Sequence, residues 1–202
     1  MQQTITPIDN TVYIEREYNS DKIEDTINKS TIAQIGWSNL SVKERVDLLT
    51  KFVDDFLSRD KIISEELCRQ IGRPINQAAS ELKGFKERAY YMLSIAEKKL
   101  SDIDVTKDKN FKNFIRRRPL GVVFVIAPWN YPYLTAVNSI IPAMAAGNTV
   151  ILKHSAQTPL CAEQLYQSAK KILPKDVFHF LHLNHSDGLK IVSDKRVNFV
   201  SF

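Results

Sequence analysis

The sequence predicts an α/β fold in which a helical first half precedes parallel βαβ units. Three observations carry this reading. Up to residue 100 apolar residues recur at three- and four-residue spacing, from Phe114 onward short apolar runs alternate with stretches of helix length, and glycine and proline fall at the joints. Parallel strands joined through helices are covered on both faces, so they read as continuous apolar runs. At 202 residues the chain is long enough to bury a sizeable core.

The elements follow in order. A short strand is expected at Thr11 to Arg16, and Ser20 or Asp21 can cap a helix that runs to about Ile35 and is ended by Gly36. Ser41-Val42-Lys43-Glu44 is a capping box, since hydroxyl and carboxylate each satisfy a free backbone donor at a helix start. Behind it Val46, Leu49, Phe52, Val53 and Phe56 form one apolar face. A helix over about Lys61 to Ile71 stops at Gly72, and Pro74 suits the start of a long helix from about Ile75 to Leu100. The polar stretch SDIDVTKDKN, residues 101–110, reads as a linker.

This divides the chain into a helical segment, residues 1–110, and an alternating region, residues 111–202. In the second, strands are expected at Gly121 to Ile126, Val150 to Leu152, Val177 to Leu181 and Val197 to Ser201. Helices fall between them at Pro132 to Ala146 and Pro159 to Leu173, the latter with Thr158 as cap before a first-turn proline.

Composition excludes several function classes. The formal charge of +5 is spread along the chain, and Arg116-Arg117-Arg118 has no aromatic interleaving, so no nucleic-acid partner is expected. The opening MQQTITPIDN is not a signal peptide and no apolar run reaches membrane length, which points to a cytoplasmic protein with no membrane partner. Cys68 and Cys161 lack CxxC spacing and read as reduced packing residues. His179, His182 and His185 recur at three-residue intervals, but on a strand such neighbours point to opposite faces, so no metal site is expected.

In parallel α/β sheets ligands sit beyond the carboxyl ends of the strands. Two loops therefore matter, Ala127 to Pro132 and Lys153 to Thr158. Neither a GxGxxG after Ile126 nor a GxxxxGKS/T loop occurs, so spacing alone supports no more than a nucleotide-sized crevice. In FVIAPWNYP, Phe124 to Pro132, a buried strand ends in an amide held between two prolines. From the residues alone Asn130 reads as an Asx-type turn before Pro132.

The segment RRPLGVVFVIAPWNYPYLTAVNSIIPAMAAGNTVILKHSAQTP resembles the aldehyde dehydrogenase superfamily, whose hallmark is a PWN-aromatic-P loop followed by AAGN-x-V-x-L-K. GRPINQA resembles that family's G-K-P motif, with Arg73 in place of the lysine, and RVNFVSF resembles the strand leading into its F-T-G-S nucleotide loop. The resemblance implies a Rossmann-type NAD(P)-binding domain preceded by a helical segment. It also implies a small-molecule aldehyde substrate, oxidised to a carboxylic acid through a cysteine thiohemiacetal with NAD or NADP as cofactor. Under it Asn130 is the amide donor to the thiohemiacetal oxygen, a neutral donor fixed in advance of the developing charge.

The resemblance places Ile126, Ala127, Pro128 and Trp129 alongside the cofactor, Lys153 at the adenosine ribose with Ser155 near it, and Phe202 at the start of the nucleotide loop. Where NAD-preferring members often carry a glutamate that repels a 2′-phosphate, this sequence has Ala156. With Ser155 and Lys153 available to a phosphate, NADP is expected to be accepted or preferred. His154 departs from a common proline and is given no role. GRPINQA and ILKH are similar to the semialdehyde-oxidising members, notably succinate semialdehyde dehydrogenase.

The family's cysteine nucleophile and glutamate base belong to later motifs that do not occur here, and the chain stops at Phe202, before the expected T-G-S. The expectation is an amino-terminal fragment, inactive alone, with the catalytic domain absent. FKNFIRRRP resembles part of the family's assembly strands, which implies a homo-oligomer, dimer or tetramer, at full length. The alternative is a non-catalytic truncated paralogue that binds nucleotide or pairs with full-length subunits.

Overall fold

In a computed structural model, which describes residues 1–107 and 110–202, the chain opens on an antiparallel hairpin of β1 (Gln2–Ile5) and β2 (Val12–Arg16). Only β2 has a sequence signal strong enough to be expected. After a 3₁₀ turn at Ser20–Lys22, α1 spans Ile23–Asn39 and runs straight through Gly36. The expected stop there is wrong for a physical reason. Trp37 is 1% exposed and its indole N–H donates to the Met144 carbonyl at 2.9 Å, so the last turn of α1 is anchored in the core. That anchoring offsets the roughly 1 kcal/mol that a mid-helix glycine costs relative to alanine.

A Cβ at Gly36 would meet no atom within 4 Å. Gly36→Ala is therefore expected to raise stability by about 0.5–1 kcal/mol, read as a higher urea midpoint at unchanged slope. A lower midpoint would contradict the packing described. Neither Ser20 nor Asp21 caps α1; the Ser20 hydroxyl donates to the Asp187 carboxylate instead.

Helix α2 (Val42–Leu57) opens on the expected capping box, with the Ser41 hydroxyl accepting from the Glu44 N–H at 3.2 Å and the Glu44 carboxylate accepting from the Ser41 N–H at 2.7 Å. Arg45, buried beside it, donates to the carbonyls of Ser38, Leu40 and Ala145 and so staples the turn between α1 and α2 to a distant helix end. Helix α3 (Asp60–Ile71) ends on Gly72 at φ 69°, and a Cβ there would also lie 2.8 Å from the Pro7 ring. Helix α4 spans Ile75–Leu100. The segment expected as a linker instead contributes β3 (Ile103–Asp104), paired antiparallel with β4 (Phe114–Ile115); positions 108–109 of that segment lie outside the described residues.

The remaining strands form a parallel four-stranded sheet in the order β7-β6-β5-β8. They are β5 (Val122–Ala127), β6 (Thr149–His154), β7 (Phe178–Phe180) and β8 (Val197–Ser201). Connecting them are α5 (Pro132–Ala145), α6 (Pro159–Ile172) and α7 (His185–Val192). The last helix has no counterpart in the sequence pattern, and it carries His185, so that histidine does not share a strand with His179. Its start is capped by the Asn184 side chain, which accepts from the Asp187 N–H at 2.8 Å.

One face of the sheet, with Val123, Val125, Val150 and Leu152, packs into a core shared by α2, α4, α5 and α6. There Phe56 stands 4.8 Å from Phe85 and 5.2 Å from Tyr133, ring centre to ring centre. The other face, with Val122, Phe124 and Ile151, packs on Ile27 of α1 and Ile191 of α7. Among the described residues no helix is long and apolar enough to cross a membrane.

Candidate active site

Strands β5, β6 and β7 progress across the sheet in one direction, whereas β8 returns to the far side of β5. The topology therefore reverses at β5, and a crevice opens beyond the carboxyl ends of the strands at such a point. The loop after β5, the loop after β6 and Phe202 after β8 all lie at this end. Ile126 and Ala127 stand opposite Lys153 and His154 in the parallel register, and the Ser155 N–H donates to the Ala127 carbonyl at 3.0 Å, joining the two loops. Pro128 is partly buried, while Trp129 and Phe202 are exposed.

Asn130 is exposed, and two contacts fix it. Its Oδ1 accepts from the Tyr131 N–H at 3.1 Å, and its backbone carbonyl accepts from the Arg73 guanidinium. The expected Asx-type turn is not formed, because its bond would need an N–H two residues on, where Pro132 has none, and Oδ1 accepts from the next residue instead; among the described residues the Nδ2 group has no partner.

Behind this loop lies Glu81, whose side chain is 1% exposed. One of its oxygens pairs with Arg73, and the other accepts from the N–H groups of Tyr133 at 2.9 Å and Leu134 at 3.1 Å. These are the free donors at the start of α5, so a carboxylate from α4 satisfies them and also favours the positive end of the helix. The sequence reading missed Glu81, which looks like one charge among many on α4. The Arg73 guanidinium lies 4.6 Å from the centre of the Tyr131 ring.

The second loop is built in the same way. Lys153 is 7% exposed, and its stem lies over Gly188 of α7, where a Cβ would stand 3.6 Å from Lys153 Cδ. Burial holds its pKa below the ordinary lysine value. The Ser155 hydroxyl accepts from the Gln157 N–H at 3.2 Å. Ala156 is exposed, and its carbonyl accepts from the Thr4 hydroxyl at 2.8 Å and the Gln2 amide at 3.3 Å. Gln157 in turn donates to the carbonyls of Ile5 and Gln70. The amino-terminal hairpin and α3 therefore clamp this loop, a function no local pattern announced.

Thr158 precedes the first-turn proline as expected but makes no cap bond. Its hydroxyl lies 3.1 Å from His154 Nδ1, and the Leu160 N–H is satisfied at 3.0 Å by Gln70 Oε1 from α3. His154 is 4% exposed, and among the described residues its Nε2 makes no hydrogen bond. Burial pushes its pKa down to about 3; the Pro132 carbonyl opposes this in part, and the nearby Lys153 and His182 charges reinforce it.

The other candidates for chemistry are committed elsewhere. Cys161 is fully buried on α6 and burial pushes its thiol pKa far up, while Cys68 is partly buried on α3. His182 Nε2 lies 3.0 Å from Glu163, and His179 Nε2 lies 3.1 Å from Asp176. Burial alone would raise the Glu163 pKa, but bonds from His182 and Arg16 outweigh it and hold the carboxyl at about 2. Among the described residues no three His, Cys, Asp or Glu side chains group so as to hold a metal ion.

The sequence pattern of the Aldehyde dehydrogenase family matches residues 1–202. The chain belongs to this family. It is 32% identical over 180 residues to the aldehyde dehydrogenase LUC3 of Fusarium sp, covering 89% of this chain and 37% of that protein. Against the D-glyceraldehyde dehydrogenase (NADP(+)) of Picrophilus torridus it is 30% identical over 182 residues, again covering 89% of this chain and 37% of the other. The solved aldehyde dehydrogenase of Brucella melitensis biovar abortus superposes with a TM-score of 0.92 at 25% identity, covering 100% of this chain and 42% of that one. The chain thus spans about two fifths of the length of these aldehyde dehydrogenases. The observed fold is the one expected of the family, a Rossmann-type parallel sheet preceded by helices.

Proposed function

We propose that the chain is the NAD(P)-binding portion of an aldehyde dehydrogenase that oxidises an aldehyde to a carboxylic acid through a cysteine thiohemiacetal, the thiol coming from outside this segment. The observation that carries the reading is the disposition of Asn130. Its Oδ1 and its carbonyl are both occupied, which leaves Nδ2 as a donor in the loop beyond the carboxyl end of β5. A donor fixed before charge develops stabilises an oxyanion without reorganisation, and removing one typically costs about 3 kcal/mol of barrier.

The residues around it fit a dinucleotide. Ile126, Ala127 and Pro128 form a largely apolar floor, exposed Trp129 offers a ring face, and Lys153, its stem lying over Gly188, offers an ammonium to a ribose. The nicotinamide, when bound, accepts the hydride. Phe202 lies where the pyrophosphate-binding turn begins in this reading. The exposed apolar side chains of the β3 and β4 ribbon, Ile103, Phe114 and Ile115, are proposed as part of a dimer or tetramer contact in the full-length enzyme.

Ala156 presents no carboxylate to a 2′-phosphate, and we read the site as accepting NADP; the Picrophilus relative carries NADP(+) in its name. Ala156→Glu is expected to shift the ratio of NADP to NAD affinity toward NAD by at least about ten-fold, since a carboxylate repels the phosphate and pairs with ribose hydroxyls. An unchanged ratio would remove this position from the cofactor site.

The activity itself is tested in two steps. The purified chain, given an aldehyde and either cofactor, is expected to form no NAD(P)H, since Cys161 is sealed in the core and Cys68 lies on α3. In the polypeptide that supplies the thiol, Asn130→Ala is expected to lower kcat by about 10²–10³-fold. Retained kcat would overturn the assignment.

A further inference from the structure

The GRP motif holds an arginine where the family it resembles has lysine, and that arginine makes three contacts at once. Its guanidinium pairs with Glu81, donates to the Asn130 carbonyl and stacks on the Tyr131 ring. We propose that Arg73 is a positioning residue that sets the direction of the Asn130 amide, with Glu81 holding it in register with α5. The inference rests on the reading of Asn130 as the amide donor, which it deepens.

The loop after β5 has two prolines, but they restrict only their own φ angles and the residues before them. Tyr131 precedes Pro132 and its carbonyl accepts from the Thr135 N–H at 2.9 Å, so the first turn of α5 holds it, whereas the Oδ1 bond to the Tyr131 N–H links the Asn130 side chain only to that neighbour among the described residues. Without a contact of its own Asn130 could still turn about the anchored Tyr131, carrying Nδ2 away from the carboxyl end of β5. Arg73 supplies that contact, since it reaches the Asn130 carbonyl from one side and the Tyr131 ring from its face.

Glu81 makes the anchor rigid. Its side chain is 1% exposed and that of Arg73 is 12% exposed, so the pair is held within the protein rather than in solvent. Because the second Glu81 oxygen holds the Tyr133 and Leu134 N–H groups, Arg73 is registered to the first turn of α5 as well as to α4. One buried carboxylate therefore ties the long helix, the catalytic loop and the helix that follows it.

The chemistry calls for arginine. A planar guanidinium presents several donors in a fixed fork and stacks on an aromatic face, whereas an ammonium is a point charge on a flexible stem. Lysine at this position retains the attraction to Glu81 but not the simultaneous hold on a carbonyl and a ring.

The test is amide exchange and ¹H–¹⁵N spectroscopy on the whole chain, comparing Arg73→Met, Arg73→Lys and Glu81→Gln with the parent. In Arg73→Met the Asn130 side-chain and Tyr131 backbone resonances are expected to shift, and Tyr131 exchange to quicken about ten-fold, while Leu49 and Phe52 in the core keep their protection. Arg73→Lys is expected to fall between Arg73→Met and the parent. Glu81→Gln keeps an oxygen for the α5 amides but loosens Arg73, and is expected to give the same local signature at Asn130.

Unchanged Asn130 and Tyr131 signals in Arg73→Met would overturn the proposal, as would an Arg73→Lys spectrum identical to the parent, which would show that charge alone suffices. Should Arg73→Met lose its fold, Glu81→Gln and Arg73→Lys still decide the matter. None of these readouts depends on turnover. Should Asn130→Ala leave kcat intact, the donor reading fails while the positioning result stands or falls by itself.

Discussion

Glu81→Ala is expected to lower the stability of the chain by about 3–5 kcal/mol, the cost of removing one partner from a buried ion pair. The reason is the number of groups left unpaired. Arg73, only 12% exposed in its side chain, loses its carboxylate, and the Tyr133 and Leu134 N–H groups at the start of α5 lose their acceptor. A solvent-exposed ion pair would contribute about 0–1 kcal/mol, so the size of the loss separates the two cases. Urea denaturation of Glu81→Ala against the parent reads it directly. A loss below about 1 kcal/mol would mean that water or another side chain replaces the carboxylate at no cost.

The second large effect is a dependence on pH that comes from His154. Burial holds its pKa at about 3 in the folded chain, against an ordinary value of 6.5. The sign follows from proton counting. Between these values the unfolded chain binds a proton that the folded chain rejects, so stability is full above 6.5 and is lost as pH falls toward the folded value. The slope approaches about 1.4 kcal/mol per pH unit.

The window from 6.5 down to about pH 5 is the informative one, because carboxylates such as Glu163 contribute at lower pH, from the ordinary glutamate range down to its folded value of about 2. His179, whose pKa burial also lowers, adds a contribution of the same sign. His154→Leu is expected to flatten the stability profile in that window, leaving only the His179 part. Equal slopes for the parent and the variant, from urea titrations at stepped pH, would place His154 in contact with water.

How much of this was legible follows from how local each determinant is. The capping box at Ser41 to Glu44, the long helix Ile75–Leu100 and the strand Val197–Ser201 are written in adjacent residues, and they stand where the pattern puts them. The continuation of α1 past Gly36 is not local, because it depends on Trp37 reaching Met144, 107 residues away. Helix α7 does carry a local signal, Asn184 three residues before Asp187, but it is short and directly follows the apolar run of β7, whose pattern masks its start.

The candidate site divides the same way. Asn130, Trp129 and Lys153 stand out because motif and strand end coincide, and the structure brings their loops to one end of the sheet. Their supports do not stand out. Glu81 acts across 52 residues and Gln70 across 90, each capping a helix start that its own sequence leaves uncapped. A polar residue on a helix face reveals such a role only when its distant partner is known.

The central claim is that the carboxyl ends of β5 and β6 form a dinucleotide site. Its most direct test is a titration of the chain with NADP⁺ and NAD⁺ followed by tryptophan emission, since Trp129 is 54% exposed at the crevice while Trp37 is sealed at 1%. The account predicts a saturable change in emission that Trp129→Phe abolishes and that Lys153→Ala shifts to at least about ten-fold higher cofactor concentration, the effect of losing one charge-assisted contact. Emission that stays constant, or a binding curve indifferent to Lys153, would contradict it.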